Sequence, residues 1–249
     1  MTRTVTIIGL GLIGGAIGIA LRQAGWRVLY LDPDVAENDA QRAGAADARA
    51  ESAGGEDVVL VATPVDVAVE LVRGMAHTSA VITSVCSVMQ PLRAVAGANF
   101  VAGHPMTGWH EGGLANAHHV SLAGTSWFLD AADERVEELV HDCAATPVHI
   151  EAAEHDAGVA LSSHLPQVLS TALFAYLSEQ PDVAPFAGNG LRSFRLAASD
   201  GAMWHSVLEA NRENLRPHAA AIARLVEAII EGEDRDAFAK ARAFWQRLE

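Results

Sequence analysis

The stretch that most constrains the fold is VTIIGLGLIGGAIGIAL, which spans residues 5–21. A β-branched apolar run leads into a G-x-G-x-x-G pattern and then into a helix-like run, the strand–turn–helix setting that a dinucleotide-binding loop requires. In such a loop Gly9 makes the tight turn, Gly11 lets the backbone approach a pyrophosphate, and Gly14 allows the helix to pack closely. The diphosphate then faces the N-terminal end of the helix. The residues predicted here to bind the cofactor are Gly9, Gly11, Leu12, Ile13 and Gly14.

Three further residues extend the predicted nucleotide site. Asp32 ends the second strand-like run, about twenty residues after the loop, where a carboxylate accepts the ribose hydroxyls and repels a 2′-phosphate. This position predicts NAD rather than NADP, and the alternative is that Asp32 only caps the strand end before Pro33. Thr63 and Pro64 follow another apolar run, in VATPV, and are predicted to line the cofactor at the carboxyl ends of the strands.

The order of strand and helix signals predicts the fold class. Roughly the first 150 residues alternate short β-branched runs with helix-like segments, a pattern typical of a parallel sheet covered by helices. After about Glu151 the strand signals stop and helical periods take over. We therefore predict an α/β protein with an N-terminal Rossmann-type dinucleotide-binding domain, residues 1–152, followed by an all-α dimerisation domain, residues 153–249. The predicted strands are Val5–Gly9, Val28–Asp32, Val58–Ala62, Ala80–Ser84, Phe100–Gly103, Ser126–Leu129 and Val148–Ile150.

The helical region is predicted to contain one long kinked helix and several shorter ones. Pro166 lies inside the helical period of Glu154–Leu177, where its missing N–H and its ring predict a kink. Gly232 is predicted to end the helix before it. A domain this small with so many apolar stripes is expected to bury some of them against a second copy, as a homodimer. The remaining predictions are helices over Met203–Leu215 and His218–Ile230, and a last helix with Phe238, Ala241, Trp245 and Leu248 on one face.

Composition excludes several classes of partner. Acidic residues outnumber basic ones by 31 to 17, a formal charge of −14, which argues against nucleic acid or an anionic membrane surface. Two cysteines are too few for a disulfide framework, no apolar run reaches membrane-spanning length, and nothing resembles a signal peptide. We expect a cytoplasmic protein that acts on a small molecule.

The stretch VAGHPMTGWHEGG, residues 101–113, holds the candidate catalytic residue. Hydride transfer to a dinucleotide needs a group that manages the substrate's proton near the carboxyl end of a sheet strand. His104 follows the predicted strand Phe100–Gly103, and an ordinary histidine pKa of about 6.5 suits a base near neutrality. The alternative is that His104 caps a turn. Ser87, in TSVCSVM, follows the neighbouring strand, and Cys86 beside it is interpreted as a small buried residue.

Ordered blocks along almost the whole chain resemble the prephenate dehydrogenase family. They are GLGLIGG, DVVLVATPV, TSVCSVM, FVAGHPMTG, HDAGVALSSHLPQ and AGNGLRSFRLAASDGAMWHSVLEANRENL. The resemblance implies a Rossmann domain followed by a helical dimerisation domain, with the active site in the cleft between them.

The resemblance also implies a reaction and its residues. The reaction is the NAD-dependent oxidative decarboxylation of prephenate, a cyclohexadienyl acid, to 4-hydroxyphenylpyruvate in tyrosine biosynthesis. His104 matches the family histidine that accepts the 4-hydroxyl proton, and Ser87 matches the serine that orients substrate and nicotinamide. Arg195, or Arg192 as the alternative, matches the arginine that binds a substrate carboxylate. Gln167 matches the residue that faces the substrate side chain, where a neutral donor favours prephenate over arogenate. No metal is expected.

Two residues of the HDAGVALSSHLPQ block have simpler interpretations. His164 is interpreted as a hydrogen-bonded core histidine, with a ligand contact as the alternative. Asp156, in the first turn of the predicted helix, is explained by the helix dipole.

Departures from the family pattern cluster around the substrate and leave other functions open. Cys86 and Met89 replace the usual glycine and lysine, Trp109 and His110 follow the histidine block, and one position is missing near Arg195. Trp109 is equally well explained as a packing residue. The alternatives are a dehydrogenase for 4-amino-4-deoxyprephenate or arogenate in specialised metabolism, or a catalytically silent NAD-binding sensor. The β-hydroxyacid dehydrogenases would use a lysine in the helical domain, whereas this chain's only lysine lies near its C-terminus.

Overall fold

The computed structural model describes residues 3–109, 111–180, 182–199 and 201–248, so His110 lies outside the described residues. The strands are β1 Thr4–Ile8, β2 Arg27–Leu31, β3 Ala48–Arg49, β4 Val58–Val61, β5 Val81–Ser84, β6 Phe100–Val101, β7 Gly103–Pro105, β8 Ser126–Leu129 and β9 Thr146–His149. The helices are α1 Leu12–Gln23, α2 Glu37–Arg42, α3 Val65–Gly74, α4 Gln90–Arg93, α5 Glu134–Asp142, α6 Ala152–Val159, α7 Leu165–Ser178, α8 Asn189–Arg192, α9 Gly201–Ala210, α10 Arg212–Ile230 and α11 Ala237–Trp245. A π-helical turn, Ala160–His164, joins α6 to α7, and short 3-10 turns cover Leu114–His119, Ala184–Phe186 and Arg195–Ala198.

The first six strands form a parallel sheet in the order β3-β2-β1-β4-β5-β6. This sheet has a hydrophobic core on each face because apolar residues occupy both faces of its strands. In β4, Val58 and Leu60 belong to the core that includes Ile17 of α1, whereas Val59 and Val61 belong to the core that includes Val72 of α3. The prediction of a Rossmann-type domain followed by helices is confirmed.

The prediction of one parallel sheet was wrong after Val101. The chain leaves the first sheet at Ala102, whose N–H donates to the Asp130 carboxylate at 2.7 Å and whose carbonyl accepts the Asp130 N–H at 3.1 Å. It then forms β7, which pairs antiparallel with β8, and β8 pairs parallel with β9 in a separate three-stranded sheet. The two-residue strand β3 was not predicted. His104 therefore lies within a strand of the second sheet and not after the end of a strand of the first.

The predicted kinked helix Glu154–Leu177 is two helices joined through the π-helical turn. Pro166 directly follows the π-helical turn in a backbone that stays helical from Ala152 to Ser178, so its missing N–H falls where the hydrogen-bond pattern changes. The wider turn just before it brings His164 into the buried interior. Such π-helical turns occur frequently at functional sites.

The later helices also differ from the prediction in their boundaries. The break predicted before His218 lies instead at Asn211, between α9 and α10, and Pro217 is inside α10. Asn211 is 2% exposed and its amide is engaged in hydrogen bonds, so the chain breaks where this side chain turns inward. Gly232 has φ +73° and follows α10, as predicted for a helix end.

The C-terminal helices expose much of their apolar surface. Phe238, Trp245 and Leu248, predicted to share one face of the last helix, are 79%, 64% and 66% exposed. Within the described residues, no helix is both long and apolar enough to cross a membrane.

Candidate active site

The glycine loop is closely packed at Gly9 and Gly14 and open at Gly11. Gly9 has φ +93°, and a Cβ there would lie 2.6 Å from the Ala62 carbonyl oxygen. A Cβ on Gly14 would lie 2.1 Å from the Gly9 carbonyl oxygen, so α1 packs directly on the loop. A Cβ on Gly11, by contrast, would meet no described atom within 4 Å. Helix α1 begins at Leu12 with no described side chain capping it, so its first N–H groups face this open space, where an anion binds favourably.

Asp32 connects the end of β2 to this loop. One oxygen of its half-buried carboxylate accepts the Leu10 N–H at 2.8 Å, and the other accepts the Asp34 N–H at 2.9 Å. Asp32 thus caps its own turn and also holds the glycine loop. A carboxylate accepts more than one donor on each oxygen, so these bonds leave acceptor capacity for a ribose hydroxyl.

Thr63, Pro64 and Cys86 lie where β4 and β5 end. The Thr63 methyl is 2.9 Å from the position of a Cβ on Gly9, which places Thr63 against the glycine loop. Pro64 is exposed and precedes α3. The Cys86 thiol lies 3.7 Å from the Thr63 carbonyl oxygen, and burial raises the pKa of this thiol to about 12. Cys86 is therefore a protonated buried thiol at neutral pH, in agreement with its interpretation from sequence.

His104 lies in β7 opposite Phe128, and its strand is fastened to the first sheet. Ser84, the last residue of β5, bonds through its hydroxyl to both the N–H and the carbonyl of Gly103, at 3.3 and 3.4 Å. Gly103 is required here because a Cβ would lie 2.6 Å from the Ser84 carbonyl oxygen. The His104 ring makes an edge contact with the His155 ring, and its Nδ1 lies 3.0 Å from Nε2 of His155.

Behind His104, the pair His155 and Asp156 completes a hydrogen-bonded chain that sequence reasoning missed. Nδ1 of His155 is 2.8 Å from the Asp156 carboxylate, which also accepts the N–H groups of Met89 at 2.8 Å and Gln90 at 2.9 Å. Both His155 and Asp156 are buried. The explanation of Asp156 by the helix dipole was incomplete, since its carboxylate caps α4 and holds His155. A histidine–aspartate pair beginning a helix of mostly small residues was the available signal.

The surroundings of His104 favour its neutral form. Burial, reinforced by the nearby His155 and His164, lowers the pKa of His104 from 6.5 to about 3. The pKa of His104 is therefore much lower than the ordinary histidine value of about 6.5 that the sequence led us to expect. His104 is neutral throughout the physiological pH range.

His164 is a second buried histidine in the same region. The Asn211 amide donates to the Asp156 carbonyl oxygen at 2.8 Å and lies 3.0 Å from Nδ1 of His164. Burial lowers the pKa of His164 to about 4, although Asp156 opposes this shift. The burial of His164 and its Nδ1 contact agree with the interpretation as a core histidine, whereas its buried Nε2 has no hydrogen-bond partner among the described residues. Among the described residues, no three histidine, cysteine or acidic side chains converge as metal ligands.

Ser87 is half-buried in the loop between β5 and α4. The next part of this loop is held by Asp156 through the Met89 N–H, and Cys86 before it contacts Thr63. The loop that carries Ser87 is thus anchored at one end beside the nucleotide loop and at the other beside the histidine chain.

Gln167 and the two candidate arginines occupy neighbouring parts of the helical region. The Gln167 amide nitrogen donates to the Leu196 carbonyl oxygen at 2.8 Å, and its carbonyl accepts the Ser199 hydroxyl at 3.3 Å. Gln167 is 3% exposed, so in this structure it fixes the 3-10 turn that carries Arg195. Arg192 and Arg195 are exposed, and neither forms an ion pair within the described part of the chain. Trp109 is 44% exposed and stacks on His119.

A parallel sheet in this strand order, with an uncapped glycine-rich helix start at its carboxyl edge, defines a dinucleotide-binding protein of the Rossmann class. Two family models divide the chain between them: "Prephenate dehydrogenase, nucleotide-binding domain" matches residues 17–148, and "Prephenate dehydrogenase, dimerization domain" matches residues 151–243. The chain belongs to the prephenate dehydrogenase family.

Individual relatives agree with this assignment. Prephenate dehydrogenase of Lactococcus lactis is 30% identical over 232 residues, covering 85% of this chain and 66% of that protein. Prephenate dehydrogenase of Bacillus subtilis is 30% identical over 244 residues, covering 86% and 66%. This chain thus spans just under two thirds of the length of these relatives. The crystal structure of Aquifex aeolicus prephenate dehydrogenase, a complex with hydroxyphenyl propionate and NAD+, shares the fold with a TM-score of 0.82 at 23% identity, covering 100% of this chain and 98% of that one.

Proposed function

We propose that this protein catalyses the NAD-dependent oxidative decarboxylation of prephenate to 4-hydroxyphenylpyruvate. The observation that carries the proposal is His104, a half-buried neutral histidine whose Nδ1 is hydrogen-bonded to His155. A neutral imidazole whose other nitrogen is unprotonated is the group required to take a hydroxyl proton. Membership of the prephenate dehydrogenase family supports the reaction.

The proposed cofactor is NAD, held by the loop and strand ends already predicted from sequence. Its diphosphate would lie over Gly11 and the first N–H groups of α1, at Leu12 and Ile13. Asp32 would accept the ribose hydroxyls, and its charge would disfavour the 2′-phosphate of NADP. Thr63 and Pro64 would line the nicotinamide half. When bound, NAD supplies the acceptor for the hydride that leaves C4 of the substrate.

The residues of the chain would manage the proton and the position of the substrate. His104 accepts the proton of the 4-hydroxyl as the C4 hydrogen leaves with its electrons, after which CO2 departs and the ring becomes aromatic. Ser87 hydrogen-bonds the hydroxyl region and orients it toward the cofactor. Ser87 and His104 are both half-buried, so water competes less for these two interactions than it would at a fully exposed surface.

Arg195, or Arg192, would bind a carboxylate of the dianionic substrate. Both are exposed cations without an ion-pair partner in the described structure, and a guanidinium is suited to bidentate binding of a carboxylate. Gln167 is assigned two roles in the proposal: it holds the turn carrying Arg195, and it presents a neutral environment to the keto acid side chain. An acidic residue there would favour the amino group of arogenate instead.

The helical region is proposed to form a homodimer. The exposed apolar side chains of α11, together with Ile230 at the end of α10, support burial against a second copy. The family model for this region is described as a dimerization domain.

Replacement of the base tests the function directly. In His104→Asn the amide is close to the imidazole in size but does not accept a proton near neutral pH, so kcat for prephenate should fall by about 10² to 10⁴. NAD affinity should stay within twofold. NADH absorbance measures turnover and a fluorescence titration measures NAD binding. The matched control is His77→Asn, a change at an exposed histidine, which should leave kcat unaltered.

The same assay separates the proposed substrate from the alternatives. Turnover of 4-amino-4-deoxyprephenate or arogenate without turnover of prephenate would contradict the proposed substrate and retain the role of His104. Tight NAD binding without turnover of any of the three acids would identify an NAD-binding sensor and overturn the enzymatic function.

A further inference from the structure

The hydrogen-bonded chain His104–His155–Asp156 is more extensive than a single catalytic base requires. We propose that His155 is a proton relay, which receives from His104 the proton taken from the substrate and holds it beside the Asp156 carboxylate. This inference rests on the proposed function and assigns a further residue to it. Until substrate is bound, the same hydrogen bonds keep the proton of His104 on Nδ1, which leaves Nε2 free to act as a base.

The tautomers follow from the acceptor at the end of the chain. Asp156 accepts hydrogen bonds from two backbone N–H groups, at Met89 and Gln90, so its carboxylate is placed as an acceptor for His155 as well. Nδ1 of His155 is therefore the protonated nitrogen, and Nε2 of His155 is an acceptor. Nδ1 of His104 must then donate to it, across 3.0 Å, which leaves Nε2 of His104 unprotonated.

The titratable groups around His104 and His155 explain why the proton should pass from His104 to His155. His104 faces His155 directly and His164 nearby, whereas the Asp156 carboxylate contacts His155. A charged His104 would thus be half-buried next to two histidines, whereas a charged His155 is fully buried but paired with the Asp156 carboxylate at 2.8 Å. The lowered pKa of His104 agrees with the proton being held on His155 and not on His104.

The transfer is balanced in protons and bonds. The substrate O–H bond breaks as a bond to Nε2 of His104 forms, and the Nδ1–H bond of His104 breaks as an N–H bond to Nε2 of His155 forms. His104 is then neutral with its proton on Nε2, and His155 is an imidazolium paired with Asp156. The proton returns by the same bonds when product leaves and water enters the site.

The structure offers a direct experiment because His155 borders a cavity of about 300 Å³. This cavity is lined also by Met106, Ser126, Phe128 and Gly158, among others, so removing the imidazole side chain in His155→Ala would enlarge an existing space. Small rings enter cavities of this kind in other proteins. Added imidazole can therefore occupy the position of the missing ring and accept a proton there.

We expect His155→Ala to lower kcat by at least tenfold with KM for NAD within twofold of the wild type. Imidazole should restore at least a third of the lost activity. Pyrazole, a ring of the same size that binds a proton far more weakly, should restore none. Equal rescue by both rings would show that His155 only fills space and would overturn the relay, as would wild-type kcat in the variant or an absence of rescue by imidazole. Wild-type protein should not be activated by either ring.

A measurement that needs no turnover tests the relay even if the His155→Ala variant does not fold or the proposed function is wrong. Histidine ¹⁵N spectra of the wild-type protein at pH 7 should show His104 protonated at Nδ1 and unprotonated at Nε2, with His104→Asn identifying its signals. The opposite tautomer would overturn the relay. Absence of turnover of any cyclohexadienyl acid by the wild type would instead contradict the proposed function, and the spectra would still decide the tautomer.

Discussion

The glycine loop and the histidine chain are both precise sites, but they are constructed differently. Residues 9–14 form one contiguous stretch. The space at Gly11 and the close packing at Gly9 and Gly14 exist because these glycines have no side chain. The histidine chain joins His104 to His155, 51 residues apart in sequence, and Asp156 to Met89, 67 residues apart. The first site depends on steric limits, and the second depends on buried polar groups that must all find partners. Substitutions in the glycine loop should therefore act through steric clashes, whereas substitutions in the histidine chain should act through lost hydrogen bonds and changed protonation.

The largest effect is expected from adding one methyl group to the loop. In Gly14→Ala the Cβ would lie 2.1 Å from the Gly9 carbonyl oxygen, so either α1 or the loop must shift. We expect the free energy of unfolding to fall by about 3 kcal/mol, at the upper end for overpacked sites. Urea denaturation measures it. NAD affinity should also fall, because the shift changes the loop that would hold the diphosphate.

Substitutions at two other glycines of the same segment should separate the effect on stability from the effect on NAD binding. Gly18→Ala places a Cβ 2.1 Å from the Ala45 carbonyl oxygen, outside the loop, and should lower stability similarly while the folded protein binds NAD normally. Gly11→Ala meets no described atom within 4 Å and should change stability by less than about 1 kcal/mol. It should nevertheless weaken NAD binding about tenfold, equivalent to about 1.4 kcal/mol. Equal stability losses in all three variants would contradict this assignment of close contacts.

This contrast also explains how much could be predicted from the sequence. The strand–turn–helix setting of the G-x-G-x-x-G loop and the place of Asp32 after β2 could be predicted, because the sequence spacing already specifies this geometry. His104 was predicted to follow a strand of the first sheet and lies instead in the second, because the exit of the chain at Ala102 depends on Asp130, a distant partner. The partners of Asp156 were missed for the same reason, since no local pattern shows which backbone N–H groups a carboxylate will meet.

The histidine site should make stability depend on pH in a defined window. An unfolded histidine titrates near pH 6.5, whereas burial lowers the pKa of His104 to about 3 and that of His164 to about 4. Below pH 6.5 the unfolded chain therefore binds more protons, and stability falls as the pH decreases toward these values. Between pH 7.5 and pH 5 each histidine should account for a loss of about 2 kcal/mol, measured by urea denaturation at both pH values.

Comparing the loss of stability between pH 7.5 and pH 5 in variants and wild type separates the contribution of His164 from that of the other titrating groups. His164→Gln should lower stability at pH 7.5 but should reduce the loss between pH 7.5 and pH 5 by about 2 kcal/mol. His77→Gln, at an exposed position, should keep the wild-type loss. An unchanged loss in His164→Gln would contradict the burial of a neutral histidine in the folded protein.

The smallest expected effect concerns Asp32, the residue of the nucleotide site whose contribution is electrostatic. Asp32→Asn keeps a carbonyl oxygen that can accept the Leu10 N–H and loses the bond from the exposed Asp34 N–H, so the glycine loop should retain its shape. It removes the negative charge that would repel a 2′-phosphate, and a partly exposed charge is worth about 1 kcal/mol or less. The preference for NAD over NADP should therefore narrow by about fivefold or less, measured as the ratio of the two dissociation constants. Asp34→Asn, at the exposed neighbouring carboxylate, should leave the ratio unchanged. A wild-type ratio in Asp32→Asn would mean that Asp32 only caps its turn, and any discrimination between NAD and NADP would then have to come from other residues.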